Sequence, residues 1–484
     1  MNNLELLTDF YELTMMQGYY YNDPDKRAVF DYFIRKNPFE SGYTVFAGLD
    51  PLLDMLENLQ FREDSIDYLR STKLFKPEFL DYLKTFRFNC DIISVKEGEI
   101  IFPNEPVIRV SGPIIEAQLI ESMLLNTINF QSLIATKASR ITNSAGNKAV
   151  LEFGLRRAQG VNGAVAGTRA SFIGGCASTS NVLSGKTFNI PVSGTMAHSW
   201  IMSFESELAA FEKYAEIFPD NCILLVDTYD TLDTGVPNAI KVFKKLKHKG
   251  SKKLGIRLDS GNFEELSKKA RKMLDDNDLQ EVKIFVSSEL DEVIIDELLN
   301  KDCPIDAFGV GTKLITANPD ASLSGVYKLT ARYDRETGAE IPVIKLSDTL
   351  EKRTNPGTKN VLRFYNSEEI MEADLIYLES EEKELTNRIE DGDEIKINHQ
   401  YNQNSNYWVE EYQLAEKLLK PVMKNGEVIN RDSNLESIKK YRREQINKVH
   451  EKVKRFVNPH EYLVGLSENL HDLKNKMIQN QNNK

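Results

Sequence analysis

The chain has 484 residues, 28% of them charged and 41% hydrophobic, which excludes a disordered or fibrous protein and predicts about three globular domains. Its 61 basic and 73 acidic side chains leave a net charge of −12, which argues against a nucleic-acid partner but not against a small anionic substrate. We expect no membrane partner either, because no run of 18 apolar residues is present.

The cysteines and the first residues favour a cytoplasmic location. Residues 1–16 contain neither the basic region nor the apolar region of a secretory signal. The six histidines show no metal-ligand spacing such as HExxH. The cysteines form no CxxC pair, which disfavours a zinc site or a disulfide framework and fits a reducing compartment: Cys90, Cys176, Cys222 and Cys303.

The first 150 residues alternate between helical and strand patterns. Their periodicity predicts, in chain order, a helix over 1–20, a strand over 28–35, a pair of strands over 91–112 and a helix over 115–145. A mixture of this kind indicates an α/β domain at the N-terminus.

From about residue 148 the pattern changes to short apolar runs, each of which ends in a polar or glycine-bearing phrase. Helical segments such as 203–217 and 262–277 separate most of the runs, at a spacing of roughly 20–35 residues that is typical of βα units. A series of such units predicts either a parallel (β/α) barrel or a doubly wound sheet. In such barrels, the polar residues that follow the strands carry the chemistry.

After about residue 355 the chain becomes more charged and richer in asparagine. Residues 379–396 are acidic, and residues 434–456 predict a helix with a strongly basic face. A charged helix face is usually solvated, so we interpret this part as a surface-covering third domain and not as a nucleic-acid site.

Polar residues at the ends of the predicted strands could hold an anionic ligand. Arg257 and Asp259 lie two residues apart in LGIRLDSG, so their side chains point to the same face of a strand. They could bind an anion and oppose a developing positive charge, or simply form an ion pair. In FGLRRAQG, Arg156 could grip phosphate and Phe153 offers an aromatic plane, although a surface arginine near a core phenylalanine gives the same pattern.

Two further phrases carry weaker signals. Gly311 and Thr312 in FGVGTKL allow backbone N–H groups and a hydroxyl to approach a phosphate, although glycines also form ordinary tight turns. His198 follows Thr195 by three residues in GTMAHS, but a single histidine is more often a structural hydrogen-bond partner.

The phrase DTYDT contains Asp227 and Asp230, which suit either helix capping or Mg²⁺. Each of these signals is modest alone, but together they recur in one βα unit after another. Arginine, Gly-Thr and aspartate at several strand ends predict a pocket for a phosphorylated, negatively charged substrate. No Walker-type phosphate loop is present, so any nucleotide must bind differently.

These phrases together resemble the nicotinate phosphoribosyltransferase family. The resemblance runs from about residue 5 to at least residue 350 and rests on DFYELTM, FDYFIRKNPF, EFGLRRAQG, GTMAHS, DTYDT, GIRLDSG and FGVGTKL. The stretch from SVKEGEIIF to ATKASRI also resembles the wider type II phosphoribosyltransferase group, which includes the quinolinate and nicotinamide enzymes. The resemblance implies the first step of NAD synthesis from nicotinate. Nicotinate and phosphoribosyl pyrophosphate (PRPP) give nicotinate mononucleotide and pyrophosphate, with Mg²⁺ and with hydrolysis of ATP as co-substrate.

The resemblance also implies a homodimer with shared active sites. Tyr11 of one subunit and Phe153 of the other would stack on the two faces of the pyridine ring. Thr195 and Arg257 would contact nicotinate, and Arg257 would read its carboxylate. The other implied roles are PRPP phosphate binding by Arg156 and, across the dimer, Arg35; a catalytic place beside the ribose for Asp259; 5′-phosphate binding by Gly311 and Thr312; and phosphorylation by ATP at His198.

We therefore predict an α/β fold in three parts. They are an N-terminal α/β sandwich domain (1–130), an irregular TIM-like (β/α) barrel that holds the chemistry (131–350) and a C-terminal α+β domain (351–484) that can pack against the first. The alternatives are the quinolinate enzyme, the nicotinamide enzyme and a phosphate-binding barrel without catalysis. The sequence leaves open whether four further cations line the site: Lys137, Arg140, Lys328 and Lys345.

Overall fold

A computed structural model of the chain describes residues 3–347, 349, 352–402 and 405–482. The chain divides into two compact units. Unit 1 combines Met1–Leu133 with Ser322–Lys484, and unit 2 comprises Ile134–Ala321. The three consecutive domains expected from the sequence stay a prediction. Among the described residues, no helix combines the length and the apolar character needed to cross a bilayer.

The N-terminal segment combines helices with short strands. The helices are α1 (Phe10–Asn22), α2 (Leu49–Glu57), α3 (Glu63–Ser71), α4 (Pro77–Thr85), α5 (Ile114–Leu119) and α6 (Glu121–Ser144). The strands are β1 (Arg27–Ile34), β2 (Thr44–Val45), β3 (Asp91–Ser94), β4 (Ile100–Ile101) and β5 (Ile108–Pro113). Helical spacing of apolar residues explains these helices. In α2, for example, the buried face consists of Leu49, Leu52, Leu53 and Leu56.

Unit 2 alternates strands with helices, as the sequence predicts for βα units. The strands are β6 (Ala149–Glu152), β7 (Ser178–Thr179), β8 (Cys222–Leu225), β9 (Leu254–Leu258), β10 (Lys283–Ser288) and β11 (Ala307–Val310). The helices are α7 (Gly160–Ile173), α8 (Val182–Phe188), α9 (His198–Met202), α10 (Glu207–Ile217), α11 (Val236–His248), α12 (Phe263–Asp275), α13 (Glu292–Asn300) and α14 (Thr312–Ile315).

The six strands of unit 2 form one parallel sheet in the order β7-β6-β11-β10-β9-β8. A parallel sheet is covered on both faces, which explains why its strands are nearly continuous apolar runs. In β9, for example, Ile256 and Leu258 are fully buried. Helix α12 then begins at a cap, because Asn262 Oδ1 accepts a hydrogen bond from the N–H of Glu265.

The C-terminal segment supplies the remaining strands and helices of unit 1. The strands are β12 (Gly325–Tyr333), β13 (Glu340–Pro342), β14 (Lys359–Tyr365), β15 (Met371–Leu378), β16 (Ile395–His399), β17 (Asn406–Val409), β18 (Leu414–Lys417), β19 (Lys420–Lys424), β20 (Glu427–Val428) and β21 (Leu463–Leu466). The helices are α15 (Glu382–Glu390), α16 (Leu435–Lys448) and α17 (Glu468–Asn482).

Both ends of the chain share one sheet in unit 1. It has seven antiparallel strands in the order β13-β12-β1-β5-β3-β19-β20, so β12 pairs with β1 across nearly 300 residues. A second sheet has the order β17-β16-β21-β15-β14-β18, with β15 and β21 parallel and the other pairs antiparallel. Strands β2 and β4 form a small antiparallel pair.

Most predicted elements are present, although their ends differ. The helix predicted over 1–20 begins only at Phe10, after a 3₁₀ turn at Leu4–Leu6. Asp9 is extended there because its N–H donates to Ser122 Oγ at 3.1 Å. The other predicted elements correspond to β1, to β3 with β4 and β5, to α5 with α6, and to α10, α12 and α16.

Candidate active site

Residues with predicted chemical roles gather at one edge of the unit 2 sheet. Phe153 and Arg156 follow β6, Asp259 follows β9, and Gly311 with Thr312 follows β11. The carboxyl ends of parallel strands lie at the same edge of a sheet, and this edge is where such folds bind their ligands. The order of the strands therefore places these side chains around one end of unit 2.

Arg257 is a half-buried cation on β9 at this edge. Its Nη1 donates a 2.5 Å hydrogen bond to Thr195 Oγ1, while its Nε has no hydrogen-bond partner among the described residues. Burial lowers the pKa of Arg257, and the negative charges of Asp259 and Asp227 offset part of this effect. The free Nε–H, together with an Nη–H beside it, can bind an anion that offers two oxygens in a plane.

Two aspartates with different environments lie beside Arg257. Asp227 Oδ2 accepts hydrogen bonds from the N–H of Asp259 at 2.7 Å and from Ser260 Oγ at 2.8 Å. Its Oδ1 is buried and has no hydrogen-bond partner among the described residues. Asp259 Oδ1 accepts a short hydrogen bond from Ser287 Oγ. This arrangement leaves Asp227 Oδ1 and Asp259 Oδ2 as the oxygens that can meet a cation.

His198 is the first residue of α9 and is partly exposed. Its Nδ1 shares a 3.1 Å hydrogen bond with Thr228 Oγ1, and its Nε2 lies 3.9 Å from Asp259 Oδ2. Among the described residues, Asp259 forms no direct salt bridge with Arg257, although its charge acts on that guanidinium. The hydrogen bond to Thr228 fixes the ring, which leaves Nε2 facing the other site residues.

Glycines allow Phe153 to lie against the neighbouring strand. A Cβ atom at Gly309 would lie 2.7 Å from two carbons of the Phe153 ring, so the ring occupies the space above β11. The backbone O of Phe153 would lie 3.1 Å from a Cβ at Gly311. Thr312 Oγ1 donates to Glu289 Oε1 at 2.9 Å, and both residues are accessible at this edge.

The two residues expected to act across a dimer belong to unit 1. Tyr11 lies on α1 with 47% of its surface exposed. Partial burial raises the pKa of Tyr11, and the negative charge of the adjacent Glu12 adds to the effect. Arg35 follows β1 and its backbone N–H donates to Ser324 O at 3.2 Å, while its Nε is buried without a hydrogen-bond partner among the described residues.

Most of the other candidate ligands make contacts of their own within the protein. Lys137 Nζ and Arg140 Nε both contact the buried carboxylate of Glu292, at 2.6 and 2.8 Å. Asp230 Oδ1 accepts from the N–H groups of the next turn, so the capping alternative holds for this residue. Lys328 contacts Glu121 at 3.4 Å within unit 1, where Lys345 also lies.

The sequence assigned no site role to Ser287 or Glu152, and it offered Thr228 only as part of the phrase DTYDT. Ser287 and Thr228 hold Asp259 and His198, and Glu152 accepts three hydrogen bonds behind the turn of Arg156. Their position relative to the strands could have identified them, because Glu152 and Ser287 lie at strand ends and Thr228 lies three residues after β8.

Family models and known proteins match nearly the whole chain. The nicotinate phosphoribosyltransferase (NAPRTase) N-terminal domain matches residues 6–129, the NAPRTase family residues 149–375 and the C-terminal domain residues 358–474. A nicotinate phosphoribosyltransferase of Bacillus subtilis is 42% identical over 469 residues, which is 96% of this chain and 94% of that protein. A human nicotinate phosphoribosyltransferase is 32% identical over 78% of this chain and 80% of its own length.

Solved structures also resemble this chain. The crystal structure of human nicotinic acid phosphoribosyltransferase superposes with a TM-score of 0.83 at 27% identity, and covers 98% of this chain and 100% of that chain. A nicotinate-nucleotide pyrophosphorylase from Pyrococcus furiosus has a TM-score of 0.69 over 93% of this chain and 97% of its own, at 24% identity, which shows a common fold alone.

Proposed function

The chain belongs to the nicotinate phosphoribosyltransferase family and phosphoribosylates nicotinate, and we propose that the strand edge of unit 2 carries out this reaction. The pyridine nitrogen attacks C1 of the PRPP ribose. A C–N bond forms, the C–O bond to pyrophosphate breaks, and pyrophosphate leaves with the bonding electrons. Because the substrate supplies the nucleophile, the protein contributes positioning and charge stabilisation.

The proposal depends above all on the environment of Arg257. Its guanidinium is half-buried, donates to Thr195 and retains an unpaired Nε–H among the described residues. A planar carboxylate such as that of nicotinate can accept two parallel hydrogen bonds from this group. Phe153 then supports one face of the pyridine ring, and Thr195 holds Arg257 in the required orientation.

Asp259 and Arg156 act on the PRPP end of the reaction. Displacement at an anomeric carbon passes through an oxocarbenium-like state, so the carboxylate of Asp259 stabilises the positive charge on the ribose. Arg156 stabilises the negative charge that develops on pyrophosphate. Gly311 and Thr312 bind the 5′-phosphate through a backbone N–H and through the Thr312 hydroxyl, which turns from Glu289 to the phosphate and so holds the ribose in place.

The chemistry of the donors fits Mg²⁺. The buried Oδ1 of Asp227 lacks a hydrogen-bond partner among the described residues, and Asp259 Oδ2 lies 3.9 Å from His198 Nε2. No group of three potential ligands is assembled in the described part of the chain. Mg²⁺ commonly uses one or two carboxylates together with substrate phosphates, so Asp227 and Asp259 would hold it. When bound, Mg²⁺ neutralises charge on the leaving pyrophosphate.

His198 couples the reaction to ATP, as a ligase does. With Nδ1 hydrogen-bonded to Thr228, Nε2 can attack the terminal phosphorus of ATP. An N–P bond forms, the P–O bond to ADP breaks, and water later releases phosphate. Phosphate on His198 would change the charge beside Asp259 and thereby the affinity for PRPP. If His198→Ala abolished ATP hydrolysis but preserved full stimulation of synthesis by ATP, this coupling would be wrong.

A second copy of the chain completes the site. Phe10 and Tyr11 are 54% and 47% exposed on α1 of unit 1. Unit 2 exposes its own large apolar side chains near the turn of Arg156, among them Leu155, Val161 and Val182. Apolar surface of this kind is typical of interfaces between protein chains. In this arrangement Tyr11 stacks on the free face of nicotinate, and Arg35 reaches PRPP from the partner subunit.

Two further proposals concern the architecture of unit 2 and the location of the protein. The parallel order of the unit 2 strands supports an irregular TIM-like barrel. The wide spacing of the four cysteines supports a cytoplasmic location.

A product assay tests the proposed function. The protein is incubated with PRPP, Mg²⁺ and either nicotinate, nicotinamide or quinolinate, with and without ATP. We expect nicotinate mononucleotide from nicotinate and faster synthesis with ATP, because Arg257 requires a carboxylate that nicotinamide lacks. Product from nicotinamide or quinolinate but none from nicotinate would refute the substrate assignment. Equal synthesis with and without ATP would refute the coupling alone.

A further inference from the structure

A buried carboxylate lies behind the turn that carries Arg156. Glu152 is the last residue of β6 and is only 1% exposed. Its Oε1 accepts a hydrogen bond from the backbone N–H of Gly154. Its Oε2 accepts from the hydroxyl of Thr179 at 2.5 Å and from that of Thr168 at 3.2 Å. Glu152 therefore ties the start of the turn to β7 and α7.

The hydrogen bonds around Glu152 all run in one direction. The backbone N–H of Asn181 donates to Thr179 Oγ1 at 2.9 Å, and Asn181 Nδ2 donates to Thr168 Oγ1 at 3.3 Å. Each threonine hydroxyl thus accepts from Asn181 and donates its own hydrogen to the carboxylate. An ionised carboxylate accepts from all three of its donors, whereas an amide would place an N–H₂ group against two of them. Aligned hydrogen bonds also strengthen one another.

The turn is confined on two sides. A Cβ atom at Gly154 would lie 2.5 Å from Ile315 Cβ and 2.9 Å from Glu152 Oε1, so the backbone passes directly between them. The N–H of Arg157 donates to Gly154 O at 2.8 Å and closes the turn. The position of Gly154 therefore fixes the direction in which the rest of the turn leaves β6.

The charge on Glu152 lacks a compensating cation. No basic side chain in the described part of the chain forms an ion pair with Glu152, and burial raises the pKa of its carboxyl group. A buried carboxylate costs free energy even when its hydrogen bonds are made, and a neutral side chain would fill the same space at a lower cost. This cost is understandable if the carboxylate serves the reaction.

We propose that Glu152 is a positioning residue that fixes the 153–157 turn, so that Arg156 meets the PRPP phosphates and Phe153 meets the pyridine ring. This inference rests on the proposed function, which assigns those roles to Arg156 and Phe153. Glu152 acts through the N–H of Gly154 and touches neither substrate. The network of Thr168, Thr179 and Asn181 holds the carboxylate in turn.

Glu152→Gln tests the proposal because glutamine has the same shape. Its N–H₂ group meets hydroxyls that already donate, so the side chain rotates or the network rearranges. We expect the folded variant to bind inorganic pyrophosphate more weakly in calorimetry and to show a KM for PRPP raised on the order of tenfold. Both are measured well below the unfolding temperature, where a purely structural role would leave them unchanged.

A matched pair of variants separates positioning from stability. Thr168→Val removes one donor to Glu152, whereas Ser171→Ala removes a buried hydroxyl from the same helix that donates only to Gly167 O at 2.8 Å. We expect both to lower the Tm, but only Thr168→Val to raise the KM for PRPP. Wild-type KM and pyrophosphate affinity in Glu152→Gln would overturn the proposal, as would an equal kinetic change in Ser171→Ala. A wild-type protein without transferase activity would refute the proposed function instead.

Discussion

Arg257→Lys tests how the site recognises a carboxylate. Arginine offers Nη and the unpaired Nε as two parallel donors, whereas lysine offers a single ammonium at the end of a flexible stem. The substitution therefore removes one charge-assisted hydrogen bond to nicotinate, worth about 1.5–3 kcal/mol. Since each 1.4 kcal/mol corresponds to about a tenfold change in affinity, we expect nicotinate to bind roughly 10- to 100-fold more weakly.

Calorimetric titration of nicotinate and steady-state kinetics measure this loss. Arg271→Lys is the matched control, since the Arg271 guanidinium also makes several hydrogen bonds in unit 2 but contacts Asp275 and the backbone before β10, at the opposite strand ends. We expect the control to lower stability and to keep wild-type affinity for nicotinate. Unchanged affinity in Arg257→Lys, or an equal loss in the control, would refute the assigned role.

Three further predictions follow from buried contacts. Burial raises the pKa of Glu12 from 4.5 to about 7, so the folded protein holds this proton more tightly than the unfolded chain, and the free energy of unfolding falls by up to about 3 kcal/mol as the pH rises from 4.5 to 7. In denaturant titrations, Glu12→Gln should remove this dependence of the free energy of unfolding on pH, and an unchanged dependence would contradict the prediction. Gly309→Ala places a methyl group against the Phe153 ring and should lower kcat/KM for nicotinate about tenfold, whereas a wild-type value would show that the ring position is unimportant. Asp227→Asn should raise the Mg²⁺ concentration needed for half-maximal synthesis about tenfold, and no change would exclude Asp227 as a ligand.

The sequence predicts which edge of the unit 2 sheet carries the site, because the end of a strand can be recognised from the residues next to it. Apolar runs followed by polar phrases mark the ends of β6, β9 and β11, and parallel pairing then brings those ends together. This is why residues as distant as Arg156 and Thr312 can be assigned to one edge before the structure is known. The resemblance to a known family adds the roles, which periodicity and spacing do not provide.

The remaining contacts depend on tertiary geometry that periodicity does not encode. The pairing of β1 with β12 joins residues 28–34 to 325–332, and no local pattern specifies such a partner. The same holds for Ser287 beside Asp259 and for the network around Glu152. A pattern of apolar residues indicates which positions are buried, but it does not indicate which donor faces which acceptor. The helix predicted over 1–20 begins late for a similar reason, because Ser122 holds Asp9 in an extended conformation.

Mixing two inactive variants tests the shared active site, which is the central claim, most directly. One variant is Tyr11→Ala and the other is Arg257→Ala, and each is expected to be nearly inactive alone. In a mixed dimer, one site combines the intact Arg257 of one subunit with the intact Tyr11 of the other, while the second site carries both defects. After subunits are exchanged at equal concentrations, random pairing of two-fold dimers should restore about a quarter of wild-type synthesis. Mixed dimers that form but restore no synthesis would contradict a site built from two subunits.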